Sequence, residues 1–128
     1  MDMKKVLVVD DSATMRRMIM ASLASVPGIQ FEQAVSGLEA IERMTLSRMD
    51  LVVLDLNMPD VHGFEVLKFV RAQPSIADVP IIVLTTRGDD DSRAAAMLHG
   101  ASVYLTKPFE PSVLIPEVER LLQPRVSP

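Results

Sequence analysis

The stretch Lys4-Lys5-Val6-Leu7-Val8-Val9-Asp10-Asp11-Ser12 sets four apolar residues in a row, three of them β-branched, directly before two carboxylates. A run so short and continuous does not alternate between a wet and a dry face. It reads as a parallel strand buried on both sides. Two further stretches repeat the pattern: Leu51-Val52-Val53-Leu54 precedes Asp55, and Ile81-Ile82-Val83-Leu84 precedes Thr85. Residues 30–35 and 102–106 are weaker strand candidates of mixed polarity, which places them at the edges of a sheet.

Helical patterns fill the intervals. From Ser12, the residues Met15, Met18, Ile19, Leu23 and Val26 mark one face of a first helix. Ser36-Gly37-Leu38-Glu39 has the spacing of a capping box, with Ile41 and Met44 facing inward behind it. A third helix follows Gly63 and uses Phe64, Leu67 and Val70. A fourth follows Asp89-Asp90-Asp91, turns Ala94, Ala95 and Leu98 inward, and stops near Gly100. The last spans about 111–122, with Pro111 suited to its first turn. Pro116 lies inside it and predicts a kink or a delayed start, since proline there lacks a donor and clashes with the preceding turn.

Strand and helix thus alternate five times, which calls for a parallel sheet, helices on both faces and right-handed crossovers. With the continuous strands central and the mixed ones outside, the simplest strand order is 2-1-3-4-5. That is an α/β, doubly wound (βα)5 flavodoxin-like fold.

The 128 residues suit a single domain, with a folded core at about 4–122 and a C-terminal tail at 123–128. Cysteine is absent, which excludes disulfides, thiol catalysis and thiolate metal sites. A net charge of -4 offers no footprint for nucleic acid. The first apolar run is too short for a signal-peptide core or a membrane span, so a cytoplasmic protein without membrane attachment is expected. The nine methionines, Met15, Met18 and Met44 among them, read as core filler.

The polar residues that carry chemistry all follow strands. Asp10 and Asp11 end the first, Asp55 the third and Thr85 the fourth, while Lys107 follows the fifth. In an open α/β sheet the carboxyl ends of the strands line the ligand crevice at the switch point. Three carboxylates gathered there repel one another unless a cation joins them, and Mg2+ suits an all-oxygen set. An aspartate can then attack phosphorus, with Lys107 as a point charge on a phosphoryl oxygen and the Thr85 hydroxyl as a donor to another.

Each residue alone has a plainer reading. Asp10 and Asp11 would cap the helix from Ser12, Asp55 would be a turn residue before Pro59, and Lys107 a solvated side chain. The set carries the inference. Asp89, Asp90 and Asp91 read as a helix N-terminal cluster rather than a second metal site. His62 and His99 read as an exposed loop residue and a helix-end residue, and Tyr104 also suits an ordinary edge-strand aromatic.

Val-Val-Asp-Asp-Ser at 8–12, Leu-Asp-Leu-Asn-Met-Pro at 54–59, Thr85 and Lys-Pro-Phe at 107–109 resemble the motifs of response-regulator receiver domains, over residues 4 to about 122. The resemblance implies that Asp55 is the phosphoacceptor. Asp11 and Asp55 would bind Mg2+ directly with the Asn57 backbone carbonyl, and Asp10 would act through water. The Thr86 backbone N–H would face the phosphoryl group, the Lys107–Pro108 bond would be cis, and Thr85 and Tyr104 would form the switch. The implied donor is a sensor histidine kinase or a phosphotransfer protein. The implied output is a protein target bound at the face of helix 4, strand 5 and helix 5, by a monomer or weak dimer.

Residues 85–88 look more like chemotaxis-type receivers than transcriptional ones. Val61-His62-Gly63 departs from the acidic or amide residue common before that glycine, and Thr86 is bulkier than the usual alanine or glycine. Asn57 and Arg87 flank the site, and Arg87, as a cation, is expected to lengthen the life of the phosphorylated state. Two other functions compete. An aspartate-nucleophile phosphatase or phosphotransferase wants an acid–base aspartate where Asn57 stands. A flavin module wants a phosphate-cradling loop where Asp10 and Asp11 would repel the phosphate.

Overall fold

The computed structural model describes residues 3–123, so the expected tail beyond Gln123 lies outside the described residues. Its elements are β1 (Lys4–Val9), α1 (Ala13–Leu23), β2 (Ile29–Ala34), α2 (Gly37–Leu46), β3 (Leu51–Leu54), α3 (Gly63–Ala72), β4 (Ile81–Thr85), α4 (Asp90–Leu98), β5 (Val103–Thr106) and α5 (Pro111–Leu122). The five strands are parallel in the order β2-β1-β3-β4-β5. This is the expected doubly wound arrangement.

The sheet divides the core in two. Leu7, Val9, Val52, Leu54, Ile81 and Val83 face one side, where they meet Ala40 and Met44 of α2, Val66, Leu67 and Val70 of α3, and Ala96 of α4. Val6, Val8, Leu51, Val53, Ile82 and Leu84 face the other, against Ile19 and Leu23 of α1 and Leu114 and Val118 of α5. Successive strand residues point to opposite faces, and both faces are covered. That is why the central strands are apolar throughout instead of alternating.

Several details differ from the sequence patterns. Met18 is 50% exposed rather than core filler, because Ile19 and Leu23 set the inward direction and Met18 lies about 100° away from Ile19. Val26 lies beyond the end of α1, partly buried in the following turn. In α4 only Ala96 is buried, whereas Leu98 is 82% exposed and Ala94 also faces solvent. Two residues turn a helix by about 200°, so a buried Ala96 sends Leu98 outward.

Ser36 caps α2 as expected by accepting from the Glu39 N–H, but Glu39 returns its bond to Val35 instead of Ser36. His62 is half-buried instead of exposed, with its Nδ1 accepting the Phe64 N–H and its ring stacked on Phe64. Finally, α5 runs unbroken from Pro111, so Pro116 does not delay its start. Pro116 and Ser112 are both exposed, and water can serve the Ser112 carbonyl that proline leaves without its helical partner.

The amino end of the sheet is fastened by Arg71. Its guanidinium donates to the carbonyl of Gly100 twice (3.0 and 2.7 Å), of Ala77 at 2.7 Å and of Val79 at 2.6 Å. Gly100 has φ +104°, and a Cβ there would stand 2.8 Å from both Cγ and Nε of Arg71. Only glycine suits that turn.

Candidate functional site

At the carboxyl end, β1 and β3 are neighbours, so the residues that follow them emerge side by side. The Asp55 N–H donates to the Val9 carbonyl at 3.1 Å and the Asp10 N–H to the Ala34 carbonyl at 3.1 Å, extending the sheet pattern to both aspartates. Asp10 and Asp55 are buried, at 1% and 4% exposure, while Asp11 faces solvent. Each of the three offers a carboxylate oxygen, and these oxygens lie within 4.8 Å of one another.

Lys107 completes the pocket from the end of β5, after which the Lys107–Pro108 bond is cis as expected. Its Nζ lies 2.6 Å from Asp10 Oδ2 and 3.3 Å from Asp55 Oδ2. The Ser12 N–H occupies the other Asp10 oxygen at 2.9 Å, so protein donors hold both oxygens of Asp10. Arg16, at 2.8 Å from the Asp10 carbonyl, steadies the same turn. Asp55 accepts from the Asn57 N–H at 3.2 Å. Burial pushes the Asp55 carboxyl up, the Asn57 N–H and Lys107 pull it back, and Asp10 adds to the rise.

The end of β4 meets the same pocket. Thr85 is fully buried, and its Oγ1 lies 3.4 Å from Asn57 Nδ2 and 3.3 Å from the Arg87 N–H donor. Asn57 Nδ2 also donates to the Thr86 hydroxyl at 3.0 Å, and Arg87 Nε donates to Asn57 Oδ1 at 2.7 Å. The Asn57 carboxamide therefore ties the β3–α3 loop to the β4–α4 loop. Tyr104, on the neighbouring strand β5, is 5% exposed and donates its hydroxyl to the Arg87 carbonyl. The Arg93 guanidinium covers its ring at 4.8 Å from the centroid. Burial raises the Tyr104 hydroxyl, and Asp89 adds to this against Arg93 and Arg87.

Arg87 thus links Thr85 and Tyr104: its N–H reaches one hydroxyl and its carbonyl receives the other. Seven residues singled out from sequence, Asp10, Asp11, Asp55, Asn57, Thr85, Thr86 and Lys107, stand at or beside the carboxyl ends of the strands, while Tyr104, the second residue of β5, joins them only through its hydroxyl on Arg87. The patterns miss Arg16 and the double engagement of Arg87, because hydrogen bonds to backbone atoms leave no mark in residue type. Asp89 caps α4 by accepting the Ser92 N–H, which fits the helix-start reading of the 89–91 cluster. His62 is held below the usual histidine range by burial and then by Arg87.

The donor set fits a hard divalent cation. All three carboxylates offer oxygen, and one ammonium balances only part of their charge. Asp11, the solvent-facing carboxylate, gives such an ion a way in.

The family profile described as the response regulator receiver domain matches residues 6–119. The chain is similar to the chemotaxis protein CheY homolog of Campylobacter jejuni, with 39% identity over 119 residues that cover 92% of each protein. It is also similar to the transcriptional regulatory protein PrrA of Mycobacterium tuberculosis, with 40% identity over 126 residues covering 96% of this chain and 52% of that protein. The solved structure of the chemotaxis response regulator CheY4 of Vibrio cholerae resembles it with a TM-score of 0.85 at 38% identity, over 94% of this chain and 99% of that one.

Proposed function

Because this chain belongs to the response regulator receiver family, we propose that Asp55 is the residue on which it accepts a phosphoryl group in two-component signalling. One observation supports this most directly. Three carboxylates and the Lys107 ammonium converge in one pocket, with Lys107 2.6 Å from Asp10 and 3.3 Å from Asp55.

In this reading an Asp55 oxygen forms a bond to phosphorus as the donor's N–P bond breaks, and the departing imidazole takes a proton. Asp11, Asp55 and the Asn57 carbonyl would hold Mg2+, with Asp10 acting through water, and such an ion would supply positive charge against the repulsion between an anionic donor and the attacking carboxylate. Lys107 then turns to a phosphoryl oxygen, with the Thr85 hydroxyl and the Thr86 N–H as further donors. The chain promotes only its own phosphorylation and dephosphorylation, and Arg87, tied to Asn57 beside the pocket, slows the latter.

Moving the Thr85 hydroxyl toward the phosphoryl group releases Asn57 and the Arg87 N–H. The Arg87 carbonyl carries this change to Tyr104. One hydrogen bond to a charged group is worth about 1.5–3 kcal/mol, enough to shift a two-state equilibrium roughly 10- to 100-fold. The donor is the phosphohistidine of a sensor kinase or phosphotransfer protein. The output is a protein bound at the face of α4, β5 and α5, as suits a chemotaxis-type receiver acting as a single domain in the cytoplasm, as a monomer or weak dimer.

Incubation with Mg2+ and acetyl phosphate, followed by intact mass, tests the reading. One phosphoryl group is expected on the wild type and none on Asp55→Asn. An equal gain in both would refute it.

A further inference from the structure

Asp60 sits in the β3–α3 loop, three residues beyond Asn57, and no sequence pattern gives it a task. Its two carboxylate oxygens each accept a backbone N–H from α2. Oδ1 takes Gly37 at 3.2 Å and Oδ2 takes Leu38 at 3.1 Å. These are the first two residues of the helix, whose N–H groups have no partner within it. Ser36 serves the third by accepting from Glu39 at 3.1 Å. One helix start is therefore capped from two directions, by its own flanking serine and by a loop distant in sequence.

The two segments also touch backbone to backbone. A Cβ on Gly37 would stand 2.6 Å from the Val61 carbonyl oxygen, which only glycine permits. Burial raises the Asp60 carboxyl, but the N–H groups of Val61, Leu38 and Gly37 outweigh it and hold the group below the usual carboxylate range. The charged form thus lies at the positive end of α2. Elsewhere the loop is tied within itself, by Asn57 N–H to Asp55 Oδ1 at 3.2 Å and Gly63 N–H to the Leu56 carbonyl at 3.1 Å, and on its other side to the β4–α4 loop through the Asn57 carboxamide. Leu56 and Met58 are buried and Val61 packs against the same core, but Pro59 and Asp60 between them are exposed. At Asp60 the hold on α2 is through hydrogen bonds.

We propose that Asp60 is a positioning residue for the metal site, fastening the β3–α3 loop to α2 so that the Asn57 carbonyl stands where Mg2+ is bound. This rests on the receiver reading, in which that carbonyl joins Asp11 and Asp55 in the ligand set. Groups that orient a metal ligand commonly matter about as much as weak ligands do.

Mg2+ titration of the full chain, followed by heteronuclear NMR, provides the test. Asp60→Ala is expected to weaken Mg2+ binding about 10-fold. Asp60→Asn keeps one acceptor oxygen and is expected to fall between Asp60→Ala and the wild type. Ser36→Ala removes the other cap of the same helix start. It should lower the melting temperature yet leave Mg2+ affinity at the wild-type level. An unchanged affinity in Asp60→Ala, or an equal loss in Ser36→Ala, overturns the proposal and leaves the receiver reading standing. A wild type that binds no Mg2+ at all overturns both.

Discussion

Asp55 is a buried carboxylate whose carboxyl is pushed up by burial, against the pull of the Asn57 N–H and Lys107. The folded chain therefore holds this proton more tightly than the unfolded chain does. Its contribution favours folding below the unfolded value of about 3.9 and is lost as pH rises through the higher folded value. At neutral pH the ionised group opposes folding. Asp55→Asn should then stabilise the chain by on the order of 1 kcal/mol at pH 7 in a chelating buffer. The gain should shrink as the pH falls toward 4. Urea midpoints across that range would show it, and a pH-independent difference would contradict it. Asp10, Asp11, Asp55, Thr85 and Lys107 were legible in sequence because each follows a strand, and strand ends converge. Asp60 and the Arg16 bond to the Asp10 carbonyl were not, because main-chain partners look the same in every residue.

At the scale of elements, apolar runs placed the three central strands and mixed-polarity stretches the two edge strands, and helix starts fell within a residue or two, whereas α1 ends three residues before Val26. Side-chain direction was less secure where the pattern was dilute. Helix α4 offers three consecutive alanines, Ala94 to Ala96, so nothing in it marks a phase strongly enough to turn Leu98 outward in advance. Pro116 does not delay the start of α5, for another reason. A proline on an exposed helix face loses one hydrogen bond, but water replaces the partner and the neighbouring turns keep their packing through Leu114 and Val118. The helix then continues through Pro116 at some cost in stability. Pro116→Ala should restore a donor to the Ser112 carbonyl and stabilise the chain by about 2 kcal/mol, seen as a higher urea midpoint. No gain would mean that the bond was never missed.

For the molecule as a whole, a divalent ion held in the three-carboxylate pocket would tie stability to its concentration. An ion that binds only the folded chain adds about 1.4 kcal/mol at a tenfold excess over its Kd. Thermal melts should therefore move upward with Mg2+ in the wild type and much less in Asp11→Ala. Equal shifts in both would place the ion elsewhere. The two ends of the sheet differ in this respect. Arg71 fastens the amino end through four hydrogen bonds to three carbonyls, whereas the carboxyl end is held by the exchangeable contacts of Asn57, Thr85 and Arg87.

A parallel sheet has a further geometric result. Strand β1 begins at the amino edge, and α5, leaving β5 at the opposite edge, runs back along the sheet to finish at the amino edge as well. A fluorescent protein or an affinity handle joined beside either element would hang from the side remote from the pocket. Cargo attached there would leave the three aspartates uncovered.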